Sequence, residues 1–392
     1  MAEALICFVS SKSIIQNNMK TKILLATILF SFSQMVQAQT TVLDTFNIGG
    51  YDRDYILYVP AIYDGSTAVP LVINLHGYGS NAAQQNFYGN FKDLADIDNF
   101  IVVQPNGTKD LSGRQYWNAF VNAGAVDDVG FISGLIDRLA LSYNIDQTQI
   151  FSTGMSNGGF MSFKLACELS DRIAKIASVT GSMNTTLQGT CAPTKPIPMM
   201  QIHGTTDPTV AYNGSAGVMA IEDVVDYWVD KNNCDSVPSI FNLPDVNTAD
   251  NSTVERFTYA NGDASSEVIF YKITGGGHTW PSAPIDIPGS NTNKDFNASK
   301  VIWEFFKGEP FVGIKDKYEE EGISMNYGND LLQLTLPSEL EGAEIFILNG
   351  LGQVVLEMQE SKISTNRLTA GVYFVHISTS SGVYSNSFIK FD

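Results

Sequence analysis

The pentapeptide Gly154-Met155-Ser156-Asn157-Gly158 constrains this chain more than any other feature. Gln149-Ile-Phe-Ser-Thr153 before it reads as a strand, and 157–169 after it reads as a helix. A serine held where a strand turns directly into a helix needs a strained turn, and the flanking glycines let the two elements approach closely. The surrounding chain repeats the alternation. Leu71-Val-Ile-Asn-Leu75, Phe100-Ile-Val-Val-Gln104, Ile176-Ala-Ser-Val-Thr180 and Pro198-Met-Met-Gln-Ile202 are short apolar strands. Residues 82–97, 129–141, 217–230 and 294–307 read as helices, the second with Val129, Ile132, Leu135, Ile136 and Leu139 at helical spacing. Tyr55-Ile-Leu-Tyr-Val59 is an early edge strand, and 252–260 and 266–273 are strand-like. From about 43 to 309 the pattern predicts a mostly parallel sheet covered on both faces.

The pattern changes near 310. Lys315 to Glu321 is a charged segment, so 311–321 reads as a linker. Beyond it come short alternating strands, 331–336, 343–348, 352–356, 372–377 and 387–390, with Asn349-Gly350 and Ser381-Gly382 as turn signals. Residues 322–392 are expected to form a second, all-β domain, a small sandwich.

Met19, Lys20 and Lys22, the apolar run Ile23 to Phe32, and Val36-Gln37-Ala38 have the order of a secretory signal. Met19 is the expected true start, and Gln39 the first residue after cleavage. The apolar run is too short to span a bilayer, and no other stretch is long and apolar enough. The 41 acidic against 23 basic residues give a formal charge of -18. One acidic and three basic residues leave with the first 38, so the mature chain is near -20. Such a field repels phosphate backbones and anionic membrane surfaces, so nucleic acid is excluded as a partner. Cys167, Cys191 and Cys234 remain after cleavage, an odd number. Cys167 and Cys191 flank a loop-rich stretch and are the candidate disulfide; two buried thiols are the alternative. With no C-x-x-C and four histidines in all, neither a redox motif nor a histidine-rich metal centre is suggested.

A serine hydroxyl needs a base to act as a nucleophile. His278 follows three glycines in Gly275-Gly276-Gly277-His278-Thr279-Trp280-Pro281, a loop able to present a side chain across the sheet edge. Asp207, in His203-Gly-Thr-Thr-Asp207-Pro208 after a strand, lies between serine and histidine in chain order and can receive the imidazole N–H. His203 is expected to pack or hydrogen-bond beneath Asp207. His76-Gly77-Tyr78-Gly79-Ser80 follows an early strand, and its form suggests one half of an oxyanion hole. The expected donors are the backbone N–H groups of Tyr78 and Asn157. Trp117 and Trp280 could stack on a substrate ring or fill the core. Asp127 and Asp128 read as loop caps, with binding or orienting groups at the site's rim as the alternative. Loops 115–131 and 208–216 are the expected pocket contributors.

These blocks, with Trp117-Asn118 and Val126-Asp127-Asp128-Val129-Gly130-Phe131, resemble secreted α/β-hydrolases. The family is the polyhydroxybutyrate depolymerase-like and feruloyl or acetyl-xylan esterases, carbohydrate esterase family 1. The resemblance covers about 45–308. It implies an α/β-hydrolase fold for 39–310, with Ser156, Asp207 and His278 as nucleophile, acid and base. It also implies a Cys167–Cys191 bridge and no cofactor. The cysteine that usually pairs with Cys234 is missing here. The tail resembles the C-terminal sorting domain of type IX secretion through Asn349-Gly350-Leu351-Gly352-Gln353-Val354, Leu368-Thr-Ala-Gly-Val-Tyr373 and the terminal Phe388-Ile-Lys. Tyr327-Gly-Asn-Asp330 departs from the usual Tyr-Pro-Asn-Pro. The expected function is a secreted serine carboxylesterase acting on feruloyl or acetyl esters of plant cell-wall polysaccharide. A polyhydroxyalkanoate or small aliphatic ester is the alternative substrate. A non-catalytic surface binder and a peptidase are the competing classes.

Overall fold

The computed structural model describes residues 39–120, 126–308, 324–328, 331–336, 343–349, 354–359, 361–369, 371–379 and 382–390. The expected export signal and the charged segment 311–321 lie outside the described residues, as do Gly350 and Ser381 of the two turn signals. The chain divides into two compact units between Lys307 and Gly308.

The strands of the first unit are β1 (Thr40–Ile48), β2 (Tyr51–Val59), β3 (Val69–Leu75), β4 (Ile101–Pro105), the short pair β5 (Thr108–Lys109) and β6 (Gln115–Tyr116), β7 (Ile145–Met155), β8 (Lys175–Val179), β9 (Met199–Gly204), β10 (Ser239–Asn242), β11 (Thr253–Tyr259) and β12 (Val268–Thr274). All but β5 and β6 join one sheet in the order β1-β2-β4-β3-β7-β8-β9-β12-β11-β10. The run from β4 to β12 is parallel. Antiparallel strands extend it at both edges.

Helices cover both faces. They are α1 (Ala82–Tyr88), α2 (Lys92–Asp98), α3 (Asp128–Ala140), α4 (Asn157–Glu168), α5 (Thr185–Thr190), α6 (Ile221–Lys231) and α7 (Ala298–Lys307). Successive side chains of a strand point to opposite faces, so β3 feeds two cores. Leu71, Ile73 and Leu75 pack with Phe131, Phe163 and Trp228 of α3, α4 and α6. Val72 packs on the other side with Phe100 and with Trp303 and Phe306 of α7. A strand buried on both faces reads as an unbroken apolar run, which is why β3, β4, β8 and β9 were legible in the sequence.

One helical stretch and two edge strands are among the features that differ from expectation. The single helical stretch 82–97 is two helices, α1 and α2. A Cβ on Gly89 would lie 2.8 Å from Gln85 Nε2 and 3.1 Å from the Trp280 ring, so the chain turns where the tryptophan presses against it. The edge strands β1 and β10 were not read as elements. Both are largely exposed and carry no buried run to mark them.

The second unit contains β13 (Ser324–Gly328), β14 (Leu331–Thr335), β15 (Glu344–Asn349), β16 (Val354–Met358), β17 (Lys362–Ser364), β18 (Gly371–Thr379) and β19 (Gly382–Lys390). They form two antiparallel sheets, β13-β14-β17 and β16-β15-β18-β19. Leu332, Leu334 and Ile363 of one sheet share a core with Ile345, Ile347 and Val375 of the other, which makes this unit a small sandwich.

Cys167 and Cys191 form a disulfide with Cα atoms 4.8 Å apart, joining the last turn of α4 to the end of α5. Cys234 is a free, half-buried thiol whose pKa burial raises. Among the described residues no helix is long and apolar enough to cross a membrane.

Candidate active site

Ser156 sits between β7 and α4 with φ 55° and ψ -118°. Positive φ is unusual for a residue with a Cβ, and the strain, about 1–3 kcal/mol, must be held by its surroundings. They do hold it. The Ser156 N–H donates to Val179 O of β8 at 2.8 Å. Gly158 passes so close to β3 that a Cβ there would lie 2.2 Å from Leu75 O. The glycines of the pentapeptide are therefore required by the crossing of helix and strand.

Asp207 and His278 come from two loops at the same sheet edge, after β9 and β12. The His278 Nδ1–H donates to Asp207 Oδ2 at 2.7 Å. The other carboxylate oxygen accepts the N–H groups of Thr209 and Val210 at 2.8 and 2.9 Å. Burial alone would push this carboxyl up, but the His278 bond, the nearby histidines and the Val210 N–H outweigh it and hold it below the usual range. The His278 loop is tied to the Asp207 loop through Thr206, whose N–H and hydroxyl both donate to Gly276 O.

His203 lies beneath this pair, fully buried. Its Nε2 is 2.9 Å from Val210 O and 3.3 Å from Asp207 Oδ2, and its Nδ1 is 3.1 Å from Gln201 Nε2. These partners select the tautomer with the proton on Nε2. Burial pushes its pKa down to about 4, so it is a neutral hydrogen-bonding group rather than half of an ion pair.

The other side of the site is the loop after β3. His76 is fully buried, with burial pushing its pKa down to about 4. Its Nδ1–H donates to Gly77 O at 2.8 Å, and its Nε2 accepts the Gly107 N–H at 2.9 Å. The Gly79 N–H donates to Gln115 O of β6 at 2.7 Å, and the Tyr78 hydroxyl donates to Asp110 Oδ2 at 2.6 Å. The backbone N–H groups of Tyr78 and Asn157 find no acceptor among the described residues. Gly77 lies against Ser156, with a built Cβ 3.4 Å from the serine Cβ.

Ser156, His278, Gly77 and Tyr78 line one cleft of about 320 Å³. Its remaining walls are apolar side chains, Phe87 and Tyr88 from α1, Met155, and Ile285 and Ile287, together with polar Ser80, Gln84 and Gln85. Sequence reasoning expected the pocket elsewhere. Among the described residues neither 115–120, 126–131 nor 208–216 lines it. The missed signal was Pro284-Ile-Asp-Ile-Pro288, a proline-bounded loop whose Ile285 is exposed while Ile287 packs at the margin of the core. Trp117 and Trp280 do not line this cleft either; each is 1% exposed. The Trp280 indole packs on Gly89 and Phe91 and donates to Ser299 Oγ at 3.2 Å. Asp127 caps α3 through the Gly130 N–H at 2.8 Å. Asp128 instead pairs with buried Arg53 at 2.7 Å. Among the described residues no cluster of three or more His, Cys, Asp or Glu side chains could hold a metal.

A parallel sheet wrapped by helices, with a serine at a strand-to-helix turn and a histidine–aspartate pair at the same edge, defines the α/β-hydrolase class. Residues 121–238 match the Phospholipase/Carboxylesterase family, and residues 327–390 match the secretion system C-terminal sorting domains. The chain is 26% identical over 237 residues to the bifunctional acetylxylan esterase/xylanase XynS20E of Neocallimastix patriciarum, across 60% of this chain and 32% of that one. It is 29% identical to feruloyl esterase B of Piromyces equi, across 58% of this chain and 42% of that one. The match thus spans less than half of either relative's length. Among solved structures, an acetyl xylan esterase from Aspergillus awamori aligns with 69% of this chain and 99% of its own, at 18% identity and a TM-score of 0.49.

Proposed function

We propose that the chain is a secreted serine carboxylesterase acting on feruloyl or acetyl esters of plant cell-wall polysaccharide. The observation that carries this reading is the 2.7 Å bond from His278 to Asp207, with His278 and Ser156 lining one cleft. Ser156 Oγ attacks the ester carbonyl, and His278 Nε2 takes its proton. Asp207 holds the ring through Nδ1 and stabilises the imidazolium that forms. The negative charge moves to the former carbonyl oxygen, where the Tyr78 and Asn157 N–H groups receive it. Each such donor contributes about 3–4 kcal/mol to the transition state in comparable sites. His278 returns the proton to the departing alcohol. Water then repeats the sequence on the acyl-serine and releases the acid.

The apolar walls Phe87, Tyr88, Ile285 and Ile287 suit an aromatic acyl group. The relatives named for feruloyl and acetylxylan esters support the same substrate class. Export rests on the N-terminal signal expected from the sequence and on the sorting tail. The test is a panel of methyl ferulate, acetylated xylan, p-nitrophenyl acetate and a hydroxybutyrate oligomer, run on the wild type and Ser156→Ala. Turnover by the wild type and its loss in the variant are expected. Equal turnover by both would sink the serine mechanism.

A further inference from the structure

The dipeptide Trp117-Asn118 has each of its four main-chain polar groups bound by a side chain. The Trp117 N–H donates to Asn157 Oδ1 at 2.6 Å, and Asn157 Nδ2 donates to Trp117 O at 3.1 Å. The Asn118 N–H donates to Asp128 Oδ2 at 2.7 Å, and Lys164 Nζ donates to Asn118 O at 2.9 Å. Arg53 completes the group. It donates to Asp128 Oδ1 at 2.7 Å and lies 3.7 Å over the Phe131 ring. Arg53, Asp128 and Lys164 are 3%, 1% and 7% exposed. Taking three charges out of water to hold two residues is a poor way to gain stability, because desolvation offsets most of the attraction. The arrangement is better explained by what the dipeptide positions.

Trp117 stands between the two N–H groups assigned to the oxyanion. On one side it is clamped by the side chain of Asn157, whose own N–H is one donor. On the other, its indole N–H donates to His76 O at 3.0 Å, and its ring lies 5.1 Å from the His76 imidazole. His76 Nδ1 in turn holds Gly77 O at 2.8 Å. That carbonyl and the Tyr78 N–H belong to one peptide unit. In a trans peptide the C=O and N–H point in opposite directions, so fixing the carbonyl aims the N–H. The path Asn157–Trp117–His76–Gly77–Tyr78 therefore links both donors through hydrogen bonds.

We propose that Trp117 and the Asn157 side chain are positioning residues that set the separation and direction of the two oxyanion-hole donors, with the buried Arg53–Asp128–Lys164 group bracing the same dipeptide. The inference rests on the serine-esterase reading above. It adds a role for Trp117 that a substrate contact does not supply, since this ring is sealed from the cleft.

The test compares Asn157→Ala, Asn157→Asp and Trp117→Phe. The first keeps the backbone donor and deletes the clamp. The second keeps the acceptor for the Trp117 N–H and loses the donor to its carbonyl. The third keeps most of the ring and removes the bond to His76 O. Each is read by the rate of Ser156 labelling with a fluorophosphonate, by affinity for a boronic acid that forms a tetrahedral adduct, and by kcat and KM on p-nitrophenyl acetate. Asn157→Ala and Trp117→Phe should each slow labelling and lower kcat by about 10–100-fold. Boronate affinity should fall in proportion, and KM should stay within about threefold. Asn157→Asp should fall between wild type and Asn157→Ala. The double variant should lose less than the product of the single losses, because both act on one path. Wild-type labelling and boronate affinity in folded Trp117→Phe would overturn the proposal, as would losses confined to KM. Absence of labelling in the wild type itself would instead remove the serine-esterase reading on which the proposal stands.

Discussion

His278 and Asp207 lie 71 residues apart in the chain and are joined by a 2.7 Å hydrogen bond through Nδ1. Two separate loops, after β9 and β12, bring them together, and the parallel pairing of those strands fixes the loops at one sheet edge.

Asp207→Asn tests that bond. The amide can keep accepting the Thr209 and Val210 N–H groups through its oxygen. The amino group then faces His278 Nδ1 and favours the tautomer with the proton on Nε2, where it cannot serve as a base. Ester kcat should fall by about 10³–10⁴-fold, with a far smaller change in thermal midpoint. Turnover within tenfold of wild type, measured by stopped assay at pH 7, would remove Asp207 from the mechanism.

Acid should destabilise the first unit well above the carboxylate range. His76 and His203 stay neutral in the folded protein down to about pH 4, because burial disfavours their charged forms. In the unfolded chain they take up protons near pH 6.5. The unfolded state therefore binds more protons between these values, and stability falls as pH drops through that window. At pH 5 the loss is roughly 2 kcal/mol per ring. Asp207, held low in the fold, adds its own loss only below the unfolded carboxylate range. Denaturant titrations at pH 7 and pH 5 check this; His203→Gln should remove about half of the difference, leaving the His76 share, and an unchanged pH dependence would contradict it.

Phe87 is 54% exposed on the cleft wall and has no core to fill. Covering the exposed half of this ring with an aromatic acyl group is worth about 1–1.5 kcal/mol. Phe87→Ala should lower kcat/KM for methyl ferulate by about tenfold, and for p-nitrophenyl acetate by less than threefold. Equal losses on both esters would show that the ring does not select the acyl group.

The Cys167–Cys191 bridge closes a loop of 24 residues. Its removal should cost about 3 kcal/mol, read as a lower denaturation midpoint in Cys167→Ser with Cys191→Ser. Non-reducing peptide mapping should recover the linked pair, and Cys234 should alkylate on unfolding without reductant. A Cys191–Cys234 peptide would contradict the pairing.

Local pattern carried much of the fold. Gly154 to Gly158 determined that a strand must turn straight into a helix, since glycine alone tolerates the approach to Leu75 O. Apolar runs marked β3, β4, β8 and β9 because strands covered on both faces have no polar side to show. Chain order marked Ser156, Asp207 and His278 as candidates, each beside a glycine-rich or proline-bounded turn. Tertiary structure decided the rest. Trp117 and Trp280 look alike in sequence as possible substrate platforms, and only packing shows both rings sealed inside. Asp127 and Asp128 are neighbours of one kind, yet one caps a helix and the other meets Arg53, 75 residues away. The cleft walls come from α1 and the loop 285–287, whose apolar side chains no periodicity connects. Such contacts depend on which loops the sheet order places side by side, and that order is a property of the whole chain.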